Sequence, residues 1–568
     1  MKKWQVTDIR WATFDDLELP FWKKWNKENS LPDGFWQRIW EYPYAALHVP
    51  KAEGTIDIGG TYPFVLFPNW PEAISADIRD LNKEDHPYLK GKWPKGKLMI
   101  ADATKIPVKN NSYNYAFSIS AIEEMPNTVK VLKEMIRIAK QRVVVTMDVS
   151  EELGVNRTLM RELETYLGIS LPPIPHNVLR SNDPRLRTFG QPVAPDFKHI
   201  RVLGLVIDAI DEPKDVGILI PHWESYPFAD ACLRGILAQR NKNVKEHIYL
   251  LDDYSQDGSF QRLKKKYVKN KDITFLRINR PDRATNPDVG ALLDKGLEYV
   301  EEQFVVMLDA DTIPLTKDWI SFPLWLLEKN HASSVGLDTG LSSAYAKQGG
   351  NFENWWQPET GYSIRGGLYD NNWFTVTNNL YRIMRTATAK VISQSIGFTR
   401  GHIQGTSKAS RVVKYGMNKL GLYKPEPDPR LPYLPVGCDN GVAANHFVDI
   451  NRMGGKFNLP LTSYIGLTEK DGAYGQNISG LLFHFALSTR ALSKTRREVL
   501  DPGAEYVKWI DQINKQGMIS PQLEREMIKK STIFKPGGYD GSIPTKWYTT
   551  EAKYMQDLLA QFHKRKAK

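Results

Sequence analysis

The sequence predicts two successive α/β domains followed by a helical extension at the C-terminus. Its 568 residues exceed what one hydrophobic core normally supports, so we expect more than one domain. Apolar strands alternate with helix-like segments twice, first from Thr55 to about Thr146 and again from Val216. From about Thr489 the chain is polar and mixed in charge. We therefore expect domains over residues 1–212, 213–490 and 491–568.

The composition is that of a globular protein with an excess of positive charge. Apolar residues make up 41% of the chain and charged residues 25%, which excludes a disordered chain. The formal net charge of +11 favours anionic partners such as nucleotide sugars, acidic glycans, lipid headgroups or nucleic acid. The two cysteines, Cys232 and Cys438, are too few for a disulfide framework and predict a reducing, cytoplasmic location. We find no run of the roughly 18 apolar residues that a membrane span requires, so we expect no transmembrane segment.

The first α/β pattern begins with a short apolar strand that ends in an acidic glycine turn, Thr55 to Gly60 (TIDIGG). Asp77 ends the next strand, and Asp102 follows a third apolar stretch. This spacing is typical of a strand, glycine turn, helix and second strand whose acidic end accepts ribose hydroxyls. A helix from about Asn127 to Lys140 then leads into the apolar run RVVVTMDV.

This sequence of elements resembles class I S-adenosylmethionine-dependent methyltransferases over roughly residues 36–150, and the resemblance could extend to 212. It implies a Rossmann-like domain in which Asp57 and Gly59 line the methionine end of the cofactor, Asp77 the ribose and Asp102 the adenine. Thr61 and Pro63 stand where the family usually has glycines, which let the backbone approach the cofactor. The domain is therefore either a working methyltransferase, with a sugar hydroxyl as the best-fitting acceptor, or an inactive scaffold.

A proline-rich stretch, Leu171 to Asp196, separates the two α/β patterns and predicts an irregular connection. The apolar segment Val202 to Ile207 follows it and could return to the first sheet. We place the domain boundary near Glu212 and Pro213.

The second pattern predicts a parallel, doubly wound sheet. Its strands are VGILI from Val216, IYLL at Ile248 to Leu251, Ile273 to Ile278, and Phe304 to Leu308. The helices between them are expected over Phe228 to Gln239, Gly258 to Val268, and Asp288 to Gln303.

Three of these strands run into acidic residues. The first leads to Glu224, the second to Asp252 and Asp253, and the fourth to Asp309 and Asp311. Parallel strands end at one edge of a sheet, where such folds bind ligands. Several carboxylates at one edge repel one another, so they normally imply a cation, and oxygen ligands suit Mg²⁺ or Mn²⁺.

The segments GILIPHWES, LLDDYSQDGS and VMLDADT, in this order, resemble the family-2 inverting glycosyltransferases of the GT-A fold. The resemblance covers about half of the chain and implies a nucleotide-sugar site that includes Glu224. It assigns nucleobase recognition to Asp253, with Asp252 beside it. Asp309 and Asp311 match the DXD motif: Asp311 would coordinate the metal that bridges the diphosphate, and Asp309 would lie near the ribose or the metal's water shell.

Further residues follow from the same resemblance. Thr377 to Arg382 (TNNLYR) is similar to the segment under the acceptor pocket, and Gly437 to Phe447 to the segment that carries the catalytic base, here Asp439. Asp439 could instead cap the helix that follows. His446 or His484 could complete the metal shell, although His484 lies in an apolar run where a core histidine is the alternative.

The sequence thus predicts a metal-dependent inverting glycosyltransferase, fused to a methyltransferase-like domain and acting on a glycan, glycolipid or glycoprotein. Modified nucleic acid as acceptor, or a non-catalytic binding scaffold, are the alternatives. In the C-terminal extension we expect helices near Ala504 to Gln516, Ser520 to Lys530 and Thr549 to Lys564.

Overall fold

The computed structural model divides the chain into two compact units. The first comprises Met1–Asp211 with Ile450–Met453, and the second Glu212–Asp449 with Gly454–Lys568. The residues that the structure describes are 3–29, 31, 38–151, 154–179, 187–188, 191–192, 200–210, 213–279, 289–330, 332–338, 356–357, 362–363, 377–398, 427–428, 431–435, 444, 447–448, 451–453, 455–459, 461–466, 474–478, 481–485, 512, 522, 533–534 and 557–565.

The first unit is built on a seven-stranded sheet. Its strands are β1 (Lys3–Trp11), β2 (Thr55–Ile58), β3 (Ile74–Asp77), β4 (Leu98–Ile100), β5 (Tyr113–Ile119), β6 (Ala139–Asp148) and β7 (Val202–Ile210). The strand order in the sheet is β1-β7-β6-β5-β2-β3-β4. Strands β2 to β6 pair in parallel, whereas β7 is antiparallel to both of its neighbours.

Helices of the first unit connect these strands and cover the sheet. They are α1 (Phe14–Leu17), α2 (Pro20–Glu28), α3 (Arg38–His48), α4 (Pro63–Asn69), α5 (Thr128–Ile138) and α6 (Arg157–Leu167), with a 3₁₀ turn at Ile122–Glu124. Asn127 begins α5, because its side chain accepts a hydrogen bond from the backbone of Lys130 at 2.9 Å. The apolar face of α5 packs Val131, Leu132 and Met135 into the core.

Strand β7 confirms that the segment after the proline-rich connection returns to the first sheet. A buried ion pair joins it to β6, with Arg142 Nε 2.7 Å from Asp208 Oδ1, and Thr7 Oγ1 of β1 donates to Asp208 Oδ2 at 2.6 Å. The N-terminal strand β1 was not expected from the sequence. Most of its residues are half-buried, so it lacks the apolar run that marks the central strands.

The second unit contains a seven-stranded sheet. Its strands are β8 (Lys214–His222), β9 (Val244–Asp252), β10 (Ile273–Arg277), β11 (Phe304–Leu308), β13 (Ala332–Asp338), β14 (Thr377–Arg385) and β15 (Gly455–Leu459). The strand order in the sheet is β10-β9-β8-β11-β14-β13-β15. Strands β8 to β11 are parallel, as expected, but β14 is antiparallel to β11 and to β13, so the sheet is mixed.

A second, five-stranded sheet has the order β12-β18-β17-β16-β19. Its strands are β12 (Thr312–Pro314), β16 (Leu461–Gly466), β17 (Tyr474–Ile478), β18 (Leu482–Phe485) and β19 (Ile533–Phe534). Short two-stranded ladders pair Ser150–Glu151 with Gly154–Val155, Arg187–Thr188 with Gln191–Pro192, Trp356–Gln357 with Tyr362–Ser363, and Pro427–Asp428 with Leu431–Pro435.

Helices of the second unit lie between the parallel strands and beyond them. They are α7 (Tyr226–Ala238), α8 (Ser259–Tyr267), α9 (Val289–Leu297), α10 (Ser321–Lys329), α11 (Thr386–Ser395) and α12 (557–565). Helix α9 ends at Leu297, earlier than the sequence pattern suggests. At its end Gly296 approaches β9 so closely that an added Cβ would lie 2.4 Å from Leu251 Cδ1.

Helix α12 belongs to the core of the second unit. Leu558 and Phe562 are 3% and 5% exposed, and the Phe562 ring lies 5.5 Å from that of Phe322. His563 Nε2 lies 2.9 Å from Asp318 Oδ2. The end of the predicted extension therefore packs on α10 of the same unit.

The prediction of two Rossmann-like α/β domains is confirmed. The other two helices expected in the extension fall largely outside the described residues. None of the helices in the described part of the chain combines the length and the apolar character that a membrane span needs.

Candidate active site

Two carboxylates and an imidazole meet where β11 ends. Asp309, Asp311 and His484 each offer one ligand atom, and these atoms all lie within 4.8 Å of one another. His484 Nε2 is 3.3 Å from Asp311 Oδ1, and both residues are buried, at 4% and 1% exposure. Two carboxylates with an imidazole form a donor set that suits Mn²⁺ or a related divalent ion.

Backbone pairing brings these residues together. A turn after β11 is closed by the hydrogen bond from Thr312 N to Asp309 O at 3.0 Å, and it leads directly into β12. There Thr312 pairs with His484 of β18 in antiparallel register. His484 therefore reaches the DXD turn because β18 forms a ladder with the strand that follows the motif.

Helix α7 lies against this turn. Gly235 packs so tightly on β12 that a Cβ at this position would lie 2.8 Å from Ile313 Cγ2. Cys232, on the same helix, has a buried thiol, and burial together with the nearby carboxylates of Asp311 and Asp309 holds its pKa well above the usual value. The thiol is therefore neutral and contributes packing beside the acidic turn.

A second cluster of polar side chains lies at the same sheet edge, at the ends of β8, β9 and β10. The strand register places Asp252 between His222 and Arg277. The Asp252 side chain is fully buried, and its Oδ1 accepts a hydrogen bond from Ser255 Oγ at 2.5 Å. Arg277 Nε lies 3.5 Å from Asp252 Oδ2. Burial raises the pKa of Asp252, and these partners favour its charged form.

His222 and Glu224 connect the loop after β8 to the loop after β9. The His222 ring nitrogens lie 2.9 Å from Ser225 Oγ and 3.1 Å from Ser259 Oγ. The backbone of Glu224 donates to Ser255 Oγ at 2.9 Å. Asp253, which is 8% exposed, donates its backbone N–H to the His222 carbonyl at 2.8 Å. The two loops are thus bound to each other, with Asp253 between them.

Two non-glycine residues in these loops have left-handed backbone conformations, Glu224 at φ 47° and Tyr254 at φ 58°. Such conformations are costly for residues with side chains and concentrate at functional sites. Sequence reasoning did not single out Tyr254, His222, Ser255 or Arg277. The signal for Arg277 was available, because it ends the third parallel strand at the same edge as the carboxylates.

The remaining predicted residues of this domain are Asp439, His446 and the segment Thr377 to Arg382. Asp439 and His446 lie outside the described residues. The segment Thr377 to Arg382 forms part of β14, in which Tyr381 and Arg382 are buried in the sheet beside β11.

The first unit has a cavity of about 510 Å³ at the carboxyl ends of its parallel strands. Predicted residues Gly59, Asp77 and Asp102 line it, and Arg38 and Ser120 also contribute. Gly59 has φ 100° and lies so close to the neighbouring turn that a Cβ would be 2.4 Å from Ala121 Cβ. Glycine is therefore required at this turn.

Asp57 is not among the residues that line the cavity. Its carboxylate accepts hydrogen bonds from Thr61 N at 2.8 Å, Thr61 Oγ1 at 2.7 Å and Ser75 Oγ at 2.6 Å. Burial raises its pKa to about 6. Thr61 thus turns its side chain toward the buried Asp57 carboxylate. Asp77 carries an ion pair, with its Oδ1 3.1 Å from Arg79 Nε.

The second unit defines a class of protein. Its parallel strands β8 to β11, with acidic residues at one edge and a DXD turn completed by a histidine, have the organisation of a GT-A glycosyltransferase domain. Residues 217–395 match the family model described as glycosyl transferase family 2. The second unit therefore contains a family 2 glycosyltransferase domain, and the match covers about a third of the chain.

Solved structures show distant similarity to parts of this chain. S. aureus TarS 1-349 is 14% identical, with 32% of this chain and 54% of that chain covered and a TM-score of 0.22. The mannosyltransferase PcManGT from Pyrobaculum calidifontis, in complex with GDP-Man and Mn2+, is 11% identical, with 61% and 86% covered and a TM-score of 0.27. A SAM dependent methyltransferase from Aquifex aeolicus is 14% identical, with 33% and 97% covered and a TM-score of 0.21.

The matched region spans about half of the TarS 1-349 chain and 21% of a longer TarS structure. No curated protein sequence matches this chain. Similarities this distant assign neither a substrate nor a partner.

Proposed function

We propose that the second unit transfers a sugar from a nucleotide-sugar donor to a hydroxyl group of a glycan, glycolipid or glycoprotein, with inversion at the anomeric carbon. Asp309, Asp311 and His484 converge within 4.8 Å at the edge of a parallel sheet, and this convergence supports the proposal. The loops after β8 and β9 lie at the same edge and would hold the nucleoside. The two cysteines of the chain favour a reducing compartment, so we place this activity in the cytoplasm.

The chemistry of the donor set fits a divalent cation. Two carboxylates and one imidazole supply the hard and borderline ligands that Mn²⁺ accepts, and the remaining positions would be open to phosphate oxygens. Asp311 and His484 would be protein ligands, and Asp309 would ligate the ion or orient its water. A bound cation would neutralise charge on the leaving nucleoside diphosphate.

In the proposed reaction, the acceptor oxygen attacks the anomeric carbon while the bond from that carbon to the nucleoside diphosphate breaks. Asp439 accepts the proton of the acceptor hydroxyl as general base. Asp253 recognises the nucleobase, and Asp252 keeps the loop in place through Ser255 and Arg277. The products are an inverted glycoside and the free nucleoside diphosphate.

A screen of common nucleotide sugars for nucleoside diphosphate release in the presence of Mn²⁺ tests this function. We expect release from one donor class by the wild-type protein and loss of at least about a hundredfold in rate for Asp311→Ala. Asp215→Ala is a matched control, since Asp215 lies at the opposite end of β8 and its partner Lys245 is exposed. A wild-type rate in Asp311→Ala would remove this residue from the mechanism.

A second candidate function concerns the first unit. Its cavity at the carboxyl ends of β2 to β5 favours a nucleoside-containing ligand, and S-adenosylmethionine is the one the fold implies. The fit is partial. Asp77 and Asp102 line the cavity, although Asp77 also forms an ion pair with Arg79. The Asp57 carboxylate already accepts hydrogen bonds from Thr61 and Ser75.

Calorimetry with S-adenosylmethionine separates a working cofactor site from a retained scaffold. We expect binding that weakens when Asp77→Asn removes the acidic acceptor at the end of β3. Matched titrations of Asp80→Asn control for a general charge effect, because Asp80 pairs with Lys83 on the surface. No detectable heat at millimolar ligand would favour a scaffold without a cofactor.

A further inference from the structure

Tyr254 stands in an unfavourable backbone conformation at the edge of the proposed donor site. Its φ is 58°, in the left-handed region, and a bulky aromatic side chain makes this conformation a clear outlier. The strain must be maintained by the surrounding structure, because an unconstrained loop would relax.

The loop supplies these constraints on both sides of Tyr254. Before it, Asp253 N donates to the His222 carbonyl at 2.8 Å. After it, Ser255 Oγ donates to Asp252 Oδ1 at 2.5 Å, and the Ser255 carbonyl accepts from an Arg277 guanidinium nitrogen at 2.8 Å. The Tyr254 carbonyl itself accepts from Gln256 Nε2 at 3.1 Å. The conformation is therefore fixed before any ligand arrives.

The consequence of this conformation is the presentation of an aromatic ring. Tyr254 is 42% exposed, so part of its ring is accessible to a ligand. The Arg277 guanidinium carbon lies 4.4 Å from the ring centroid. Arg277 is itself held by Asp252 and the Ser255 carbonyl, so the ring has a fixed cationic support.

We propose that Tyr254 is a donor-binding residue whose ring packs against the nucleobase of the nucleotide sugar, with Arg277 as its support. The inference rests on the proposed function, because it assumes that a nucleotide occupies this sheet edge. Asp253, the residue before Tyr254, would contact the polar edge of the same base. The local strain would then be a cost to stability that is retained for donor binding.

Two measurements on one set of variants test this inference. Titration calorimetry with UDP, GDP, CDP and dTDP, each with Mn²⁺, gives the affinity, and thermal unfolding gives the stability. For Tyr254→Gly we expect about tenfold or more weaker binding of the preferred nucleotide, since stacking on an aromatic ring contributes on this scale. We also expect a higher unfolding midpoint, because glycine adopts positive φ without strain.

Two further variants separate the roles of ring and backbone. Tyr254→Phe keeps the ring and should bind within about threefold of the wild type. Asn111→Gly relieves a positive φ of 55° at an exposed turn of the first unit, so it should leave nucleotide affinity unchanged. Wild-type affinity in Tyr254→Gly, or a lower midpoint, would overturn the inference. If the wild-type protein binds none of the four nucleotides, the proposed donor site itself is wrong.

Discussion

His484 Nε2 lies 3.3 Å from Asp311 Oδ1, although the two residues are far apart in the sequence. The contact exists because Thr312, the residue after Asp311, pairs with His484 in the β12–β18 ladder. An apolar sequence context suggested a core histidine, and His484 is indeed buried, but beside the acidic turn. The histidine is thus both part of a strand and a candidate metal ligand.

Replacement of His484 by alanine should weaken binding of Mn²⁺. Loss of a ligand or of its orientation commonly lowers metal affinity by roughly ten- to a hundredfold, and we expect at least the lower value. Electron paramagnetic resonance titration of Mn²⁺ measures the effect. His563→Ala, at an exposed imidazole of α12, is the control. Equal Mn²⁺ affinity in His484→Ala and His563→Ala would exclude His484 as a ligand.

Gly235→Ala should disturb the candidate metal site, because Gly235 of α7 packs on β12. The new Cβ would lie 2.8 Å from Ile313 Cγ2 and 3.1 Å from Pro314 Cδ, so β12 or α7 must shift, at a cost of about 1–3 kcal/mol in unfolding free energy. Because β12 directly follows the DXD turn, we also expect weaker Mn²⁺ binding. Gly296→Ala makes a similar clash against Leu251 and should lower stability alone. Identical Mn²⁺ affinities in the two variants would argue against this mechanical link.

Asp252, the last residue of β9, and Asp253, which follows it, should respond differently to alanine. Asp252→Ala leaves Ser255 and Arg277 without their buried acceptor and should cost about 2 kcal/mol in unfolding free energy. Asp253→Ala should retain stability and weaken nucleoside diphosphate binding by about tenfold. Chemical unfolding and calorimetry separate the two effects. The reverse pattern, with Asp253 needed for folding and Asp252 for binding, would refute this assignment.

Glu123 predicts a pH dependence of stability in the first unit. Burial, with a smaller contribution from the Glu41 carboxyl, raises its pKa to about 7. An unfolded chain releases the Glu123 proton near the ordinary glutamate pKa of 4.5, whereas the folded state keeps it up to about pH 7, so stability falls as pH rises through this window. Glu123→Gln cannot ionise, so its stability should rise relative to that of the wild type between pH 5 and pH 8, by on the order of 2 kcal/mol.

Urea unfolding at both pH values measures this gain. The exposed neighbour Glu124→Gln serves as the control and should follow the wild type. A constant difference between Glu123→Gln and the wild type at pH 5 and pH 8 would show that Glu123 does not titrate in this range.

Much of the fold was predictable because parallel strands leave a clear pattern. Buried strands such as β11 read as continuous apolar runs, and their acidic ends mark the edge where Asp252, Asp253, Asp309 and Asp311 lie. The direction of β14 was not predictable, because a buried apolar strand has the same composition in either orientation. Strand β1 was missed since its residues are mostly half-buried.

The sequence predicted those site residues whose type alone indicates their chemistry. Carboxylates after strands indicate a cation, but the contacts of Ser255 and Arg277 with Asp252 depend on strand register. The fit of Thr61 to Asp57 likewise depends on the shape of the glycine turn. Such contacts require the three-dimensional arrangement, because the same residue types are common in exposed loops.

The DXD turn and His484 together form the proposed metal site for the diphosphate of a sugar donor. Crystals grown with Mn²⁺ and the nucleoside diphosphate identified in the donor screen allow a direct test by anomalous diffraction at the manganese edge. We predict a single strong peak in contact with Asp311 and His484, with phosphate oxygens on its far side. A manganese peak bound elsewhere, with Asp309, Asp311 and His484 contacting only protein, would show that these residues do not form the metal site.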